Sequence, residues 1–153
     1  MHAGAGMTVE REAPGTGAYA AALIVTIVCL ALANFVLAWL GGMAGIDAGR
    51  PAAAALAFVQ GLAGALLAGL ASRQLFKSLR PADFWLKWIV LLVALLFAAV
   101  IVWLMATGKS GRALNWTTYA GLAALIGTEI GRRIAKALAD RSASAEGPGT
   151  RTS

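Results

Sequence analysis

The sequence predicts an all-α integral membrane protein, four transmembrane helices in a compact bundle with both termini in the cytoplasm. Three observations predict it: a composition too apolar for a soluble domain, four apolar runs near the length of a membrane span, and cations and tryptophans that follow the ends of those runs. Of the 153 residues, 59% are hydrophobic and 13% charged; ordinary soluble domains have about 45–50% and about 25%. A soluble domain of this length still leaves roughly a third of its chain surface in water. Most of this apolar surface therefore needs lipid as its solvent.

A bilayer core about 30 Å thick is crossed by about 20 apolar residues in a helix, which satisfies its backbone polar groups internally. The first run, residues 18–40 (AYAAALIVTIVCLALANFVLAWL), carries no charge. The second, residues 51–71 (PAAAALAFVQGLAGALLAGLA), is rich in small residues and also uncharged. The third, residues 84–105 (FWLKWIVLLVALLFAAVIVWLM), is the most hydrophobic and has Lys87 at its entrance. The fourth, residues 113–134 (ALNWTTYAGLAALIGTEIGRRI), is the weakest, because Glu129, Arg132 and Arg133 shorten its clean stretch. An interfacial helix is the alternative there.

The ALA at residues 31–33 looks like a signal-peptide cleavage site, but cleavage would leave the apolar NFVLAWL at the new terminus. The region before the run also lacks a strong positive charge, its one cation Arg11 standing between Glu10 and Glu12, so an uncleaved signal anchor is expected. Residues 1–17, Gly-rich and polar, are predicted to be a flexible segment. Residues 139–153 (ADRSASAEGPGTRTS) have the composition of a disordered basic and polar tail. Residues 18–138 then form a single transmembrane domain.

Charge sets the direction. Arg11, the loop cations Arg73, Lys77, Arg80 and Lys87, and the C-terminal Arg132, Arg133, Lys136, Arg141 and Arg151 number ten; Arg50, Lys109 and Arg112 on the other side number three. The positive-inside rule therefore puts both termini and the middle loop in the cytoplasm. Trp39, Trp85, Trp88, Trp103 and Trp116 all fall at the ends of runs, where an indole buries its ring and keeps its N–H near water. The lack of an evident organellar targeting segment fits a bacterial inner membrane.

The stretch at residues 72–88, SRQLFKSLRPADFWLKW, is read as the cytoplasmic hinge. Arg73, Lys77 and Arg80 have the spacing of one helical face, so the second span is expected to run on as an amphipathic turn in the headgroup layer. Pro81 disfavours helix at Arg80, and Asp83 has the side chain of a cap for the next helix. Trp85 and Trp88 fix the depth of the third span while Lys87 reaches back to water. The partner implied is the anionic lipid headgroup. With its cations scattered between apolar runs, the chain offers nucleic acid no continuous patch.

Catalytic chemistry is poorly supplied. One cysteine, Cys29, lies within an apolar run and one histidine, His2, near the start. No multi-cysteine or His/Cys metal site, and no cofactor, is expected. The chain has no HExxH or GxSxG, and only Glu129 of its seven acidic residues falls well inside a run. An enzyme is not expected.

Glu129 is the foremost intramembrane polar candidate, since ionisable residues within spans are costly and often functional. Against that, Arg132 and Arg133 stand three and four positions on, the spacing of ion pairs on a helix surface. Asn34 and Gln60 lie at similar depths in adjacent antiparallel spans, with Thr26 deeper, and are read first as interhelical glue. Small residues recur every fourth position at Ala53, Ala57, Gly61, Ala65 and Gly69, and at Ala123, Gly127, Gly131, Ala135 and Ala139. Such ladders allow close helix packing, within one chain or between copies.

Two functions fit. The first is a small accessory or scaffold subunit that works through helix contacts with itself, as a homo-oligomer, or with a larger membrane complex. The second is an oligomeric permeation protein, a small transporter or pore former. The apolar spans, short loops and basic tail resemble holins in composition and layout, without a shared motif.

Overall fold

The computed structural model describes residues 15–46, 51–108 and 115–145. Among them the chain forms four helices: α1 (Thr16–Met43), α2 (Pro51–Phe76), α3 (Arg80–Ala106) and α4 (Trp116–Ala145). The first three are long and apolar enough to cross a membrane. The fourth is the longest, 30 residues or about 45 Å at 1.5 Å per residue, yet its composition does not meet the same test.

The ends of the helices differ from the apolar runs. Helix α2 continues through Phe76, as an amphipathic extension requires, but α4 continues to Ala145, seven residues into the segment read as a disordered tail. Its ADRSASA stretch is polar, yet alanine and arginine are among the best helix formers. The remainder of that tail, residues 146–153, and most of the N-terminal segment lie outside the described residues.

Side-chain contacts give the directions. Gly41 lies beside Leu56, and Gly64 beside Leu30 and Ala33, so α1 and α2 are antiparallel. Tyr19 meets Phe84 edge-on at 5.7 Å, and the Trp85 indole donates to the Tyr19 carbonyl at 2.7 Å, joining the N-terminal ends of α1 and α3. Phe97 packs on Gly121 and Asp83 pairs with Arg132, making α3 and α4 antiparallel. Helices α2 and α4 are parallel: Phe58 and Leu62 face Gly127, Gly69 faces Ala135, and Arg73 donates to Ser142 at 3.0 Å. Direction thus alternates along the chain, and α2 touches all three other helices.

The α2–α4 contact is the most extensive among the described residues. A methyl group at Gly61 would overlap the carbonyl oxygen of Ala124 and crowd the Thr128 amide. One at Gly127 would overlap the carbonyl of Phe58 and crowd the Leu62 amide. The corresponding positions 61 and 127, 58 and 124, and 62 and 128 each differ by 66, so the seam is locally two-fold. Glycine is required here because backbone meets backbone, with Cα–H groups facing carbonyls across the seam.

Around this seam the interior is built mainly from small side chains. Ala65, Ala68 and Leu86 form the centre, with Cys29 and Leu30 packed against it. The bulky residues point outward: Phe35 is 73% exposed and Leu92 67%. Large exposed apolar patches are rare on monomeric proteins in water and mark protein or membrane contact.

Between α2 and α3 only three residues intervene. Lys77 has φ +51°, in the left-handed region, and the Ser72 hydroxyl donates to the Ser78 carbonyl at 2.9 Å, folding the end of α2 back. The left-handed Lys77 ends the helix, so Arg80 belongs to α3 and does not extend one face with Arg73. Pro81 occupies the first turn of α3, where its missing N–H costs no helical hydrogen bond. Asp83 does not cap this helix, whose cap position Leu79 has no side-chain hydrogen bond. At the start of α4, Asn115 Oδ1 accepts from the Thr118 amide at 2.9 Å, an N-cap the sequence reading passed over.

Candidate functional site

The principal charged constellation joins α4 to the first turns of α3. Arg132 donates to Glu129 through Nε (2.9 Å) and Nη2 (2.8 Å), a two-pronged pair with one turn of helix between the residues. Its remaining terminal nitrogen, Nη1, reaches across to Asp83. Arg133 donates from Nε to Glu129 Oε1 at 2.8 Å. The Arg132 side chain is 17% exposed and those of Glu129 and Asp83 28% and 29%, whereas Arg133 is 74% exposed. Arg132 is therefore the hub, and its planar fork suits two carboxylates at once.

Asp83 is the member that sequence reasoning missed. It is 49 residues from Arg132, and its position just after Pro81 pointed to a cap. The available signal was that an acidic group near a helix start is free for a tertiary pair when the cap position is occupied by another residue.

Beside the cluster lies a cleft of about 290 Å³ lined by Val90 of α3 and by Leu125, Ile126, Glu129, Ile130 and Arg133 of α4. It is almost wholly apolar except where Glu129 and Arg133 border it.

The other candidates divide into two sets. Gln60 Nε2 donates to the Asn34 backbone carbonyl at 3.4 Å, a long contact; the two side-chain amides do not bond each other. Thr26 is fully buried in α1, and its hydroxyl has no hydrogen-bond partner among the described residues. Thr26, Asn34 and Gln60 are not drawn together with Glu129 into one polar site. Gly61, Ala65, Gly69, Gly127 and Gly131 all lie in the α2–α4 seam, with Ala123 partly buried a turn before Gly127. They are occupied within the chain, so the ladders by themselves do not call for a second copy.

At the turn end, Arg73 reaches Ser142 and Arg80 begins α3 with its amide directed at the Ser78 hydroxyl at 3.3 Å. Lys77, Arg80 and Lys87 are exposed. Trp85 is tied to Tyr19, while the half-exposed Trp88 ring lies 6.2 Å from Phe84. Cations and aromatic rings thus share one end of the bundle. Among the described residues no cluster of three or more His, Cys, Asp or Glu side chains is placed to hold a metal ion.

Comparison with known proteins finds no family model, no curated protein and no solved structure that matches the chain. Among the described residues the defining features are a helical bundle with three helices apolar enough to cross a membrane, a glycine seam, an arginine hub and a basic aromatic end.

Proposed function

We propose that the protein is a four-span integral membrane protein of a bacterial inner membrane, with its termini and the α2–α3 turn in the cytoplasm. It serves as an accessory or scaffold subunit through the outward faces of α1 and α3. The observation that carries the subunit reading is the exposure of α3. This most apolar helix buries none of its most apolar stretch within the chain, so its whole flank is available for lateral contact. The fourth span is supported by the parallel packing of α4 along α2, which carries α4 through the layer that α2 crosses. Orientation is supported by the ten-to-three cation bias. Permeation has less support, because Ala65, Ala68 and Leu86 fill the centre of the chain and a path would have to run between copies.

Photoreactive residues at Leu95 in α3 and Phe35 in α1, introduced in native membranes, test the reading. Discrete protein adducts from these sites are expected. Lipid adducts alone would reject a scaffold role, and solute flux in vesicles containing only this protein would favour the permeation alternative. Neutralising Arg73, Lys77 and Arg80 together is expected to invert or scramble topology in reporter fusions. Intact topology with lost adducts would instead make the turn a docking site.

A further inference from the structure

The cleft between α3 and α4 has an apolar floor and a cationic mouth. Leu125, Glu129 and Arg133 succeed one another at every fourth residue, with Ile126 and Ile130 alongside. From Leu125 to Arg133 the cleft follows α4 for about 12 Å at 1.5 Å per residue. Its apolar part runs from Arg133 toward the start of α4. The guanidinium lies toward the end that carries the α2–α3 turn, since Asp83 and Arg132 pair at that level.

The charges at the mouth are unequally committed. Glu129 accepts two bonds from Arg132 and one from Arg133. Arg133 spends a single N–H on that contact, and a guanidinium has five. Its terminal nitrogens donate to no described residue, and the side chain is 74% exposed. On the opposite lip, Asp83, Lys87 and Val90 share a face of α3 by their spacing. Asp83 meets Arg132 and Val90 lines the cleft, so Lys87, exposed, stands between them. Lys136, also exposed, follows Arg133 by three residues on α4.

We propose that this cleft holds one anionic phospholipid, its phosphate between Arg133 and Lys87 and an acyl chain along Val90, Leu125, Ile126 and Ile130. Charge complementarity selects the occupant. The site offers a guanidinium fork and an ammonium to an anion, which is phosphate-binding chemistry. An apolar trough continuing directly from the cations requires the anion to carry a long hydrocarbon tail. Glu129, held by Arg132, sets the Arg133 side chain over the mouth and leaves its outer donors free. The site rests on the four-span reading, because the cations must stand in the headgroup layer while the trough lies in the hydrocarbon.

The test is native mass spectrometry of the full chain released from vesicles of equal phosphatidylglycerol and phosphatidylcholine. One retained lipid is expected, with phosphatidylglycerol favoured about tenfold, the scale of a charge-assisted hydrogen-bonded contact. The double variant Arg133→Gln with Lys87→Gln should keep a lipid adduct and lose the preference. Ile126→Trp should fill the trough and lose the adduct although both cations remain, with Ile126→Gln as a less bulky second variant. Arg141→Gln, beyond the cleft, should leave the preference unchanged. Equal retention of the two lipids by the unmodified chain, an undiminished adduct in both Ile126 variants, or an equal loss in Arg141→Gln would overturn the site. Reporters at residues 77 and 153 separate this outcome from the topology. Reporters on the same side with no lipid preference would reject the lipid site alone, and reporters on opposite sides would reject both readings.

Discussion

Helices α2 and α4 meet through glycine and alanine at backbone distance, whereas α1 and α3 show bulky aliphatic and aromatic side chains to their surroundings. All four are of similar length, and the more hydrophobic pair is the less enclosed. In water the order would be reversed, since apolar area drives burial there. In lipid a leucine gains nothing by leaving the acyl chains for another leucine. Close packing and backbone contact then decide which helices associate. Small residues therefore mark the interior of this molecule and large ones its exterior.

The sharpest way to break that contrast is to place equal changes on its two sides. Gly127→Leu drives a side chain into the Phe58 carbonyl and should cost about 3 kcal/mol, the upper part of the overpacking range. Leu95→Ala on the exposed flank of α3 should stay within about 0.5 kcal/mol. Reversible unfolding in mixed micelles, followed by helical circular dichroism, measures both. Equal effects would dissolve the distinction between seam and flank.

A second contrast lies within the charged cluster. Arg132→Ala leaves Glu129 and Asp83 facing each other without their shared cation and should cost about 1–3 kcal/mol, less than a fully buried pair because the groups remain partly exposed. Arg133→Ala, which removes an exposed partner, should cost less than about 1 kcal/mol. Asp83→Asn combined with Arg132→Ala should recover part of the first loss, and the same unfolding assay reads the coupling.

A small effect is also expected where α1 meets the seam pair. Gln60→Leu removes a single long contact to the Asn34 carbonyl and should change stability by about 0.6 kcal/mol or less. A larger loss would mean that the outer helix is held by polar contacts and not by packing against Gly41 and Gly64.

Much of this arrangement was legible in the sequence, and the parts that were not share a cause. Three helices could be placed from their apolar runs, because apolar runs and aromatic ends are local consequences of residue type. Trp39, Trp103 and Trp116 fall within about a turn of a helix end, while Trp85 and Trp88 lie further inside α3. The two ladders could be seen, but not that they face each other, since recurrence every fourth residue names a stripe without naming its partner. The Glu129 pairings with Arg132 and Arg133 were readable from spacing on one helix. The link from Arg132 to Asp83 was not, because it depends on how two helices are set side by side. The extension of α4 to Ala145 was obscured by composition, since serine and charge in a short stretch suit a free tail as well as an exposed helix end.

The 66-residue interval across the seam also has a consequence in time. Gly61 is polymerised 66 residues before Gly127, and at about 5–20 residues per second this separates them by about 3 to 13 seconds. Through that interval the glycine stripe of α2 waits for the helix that covers it. Helix α4, the least apolar of the four, emerges last and meets a surface that is already shaped to receive it. Its docking on the bundle would then be a templated step, with the second helix acting as the mould for the fourth.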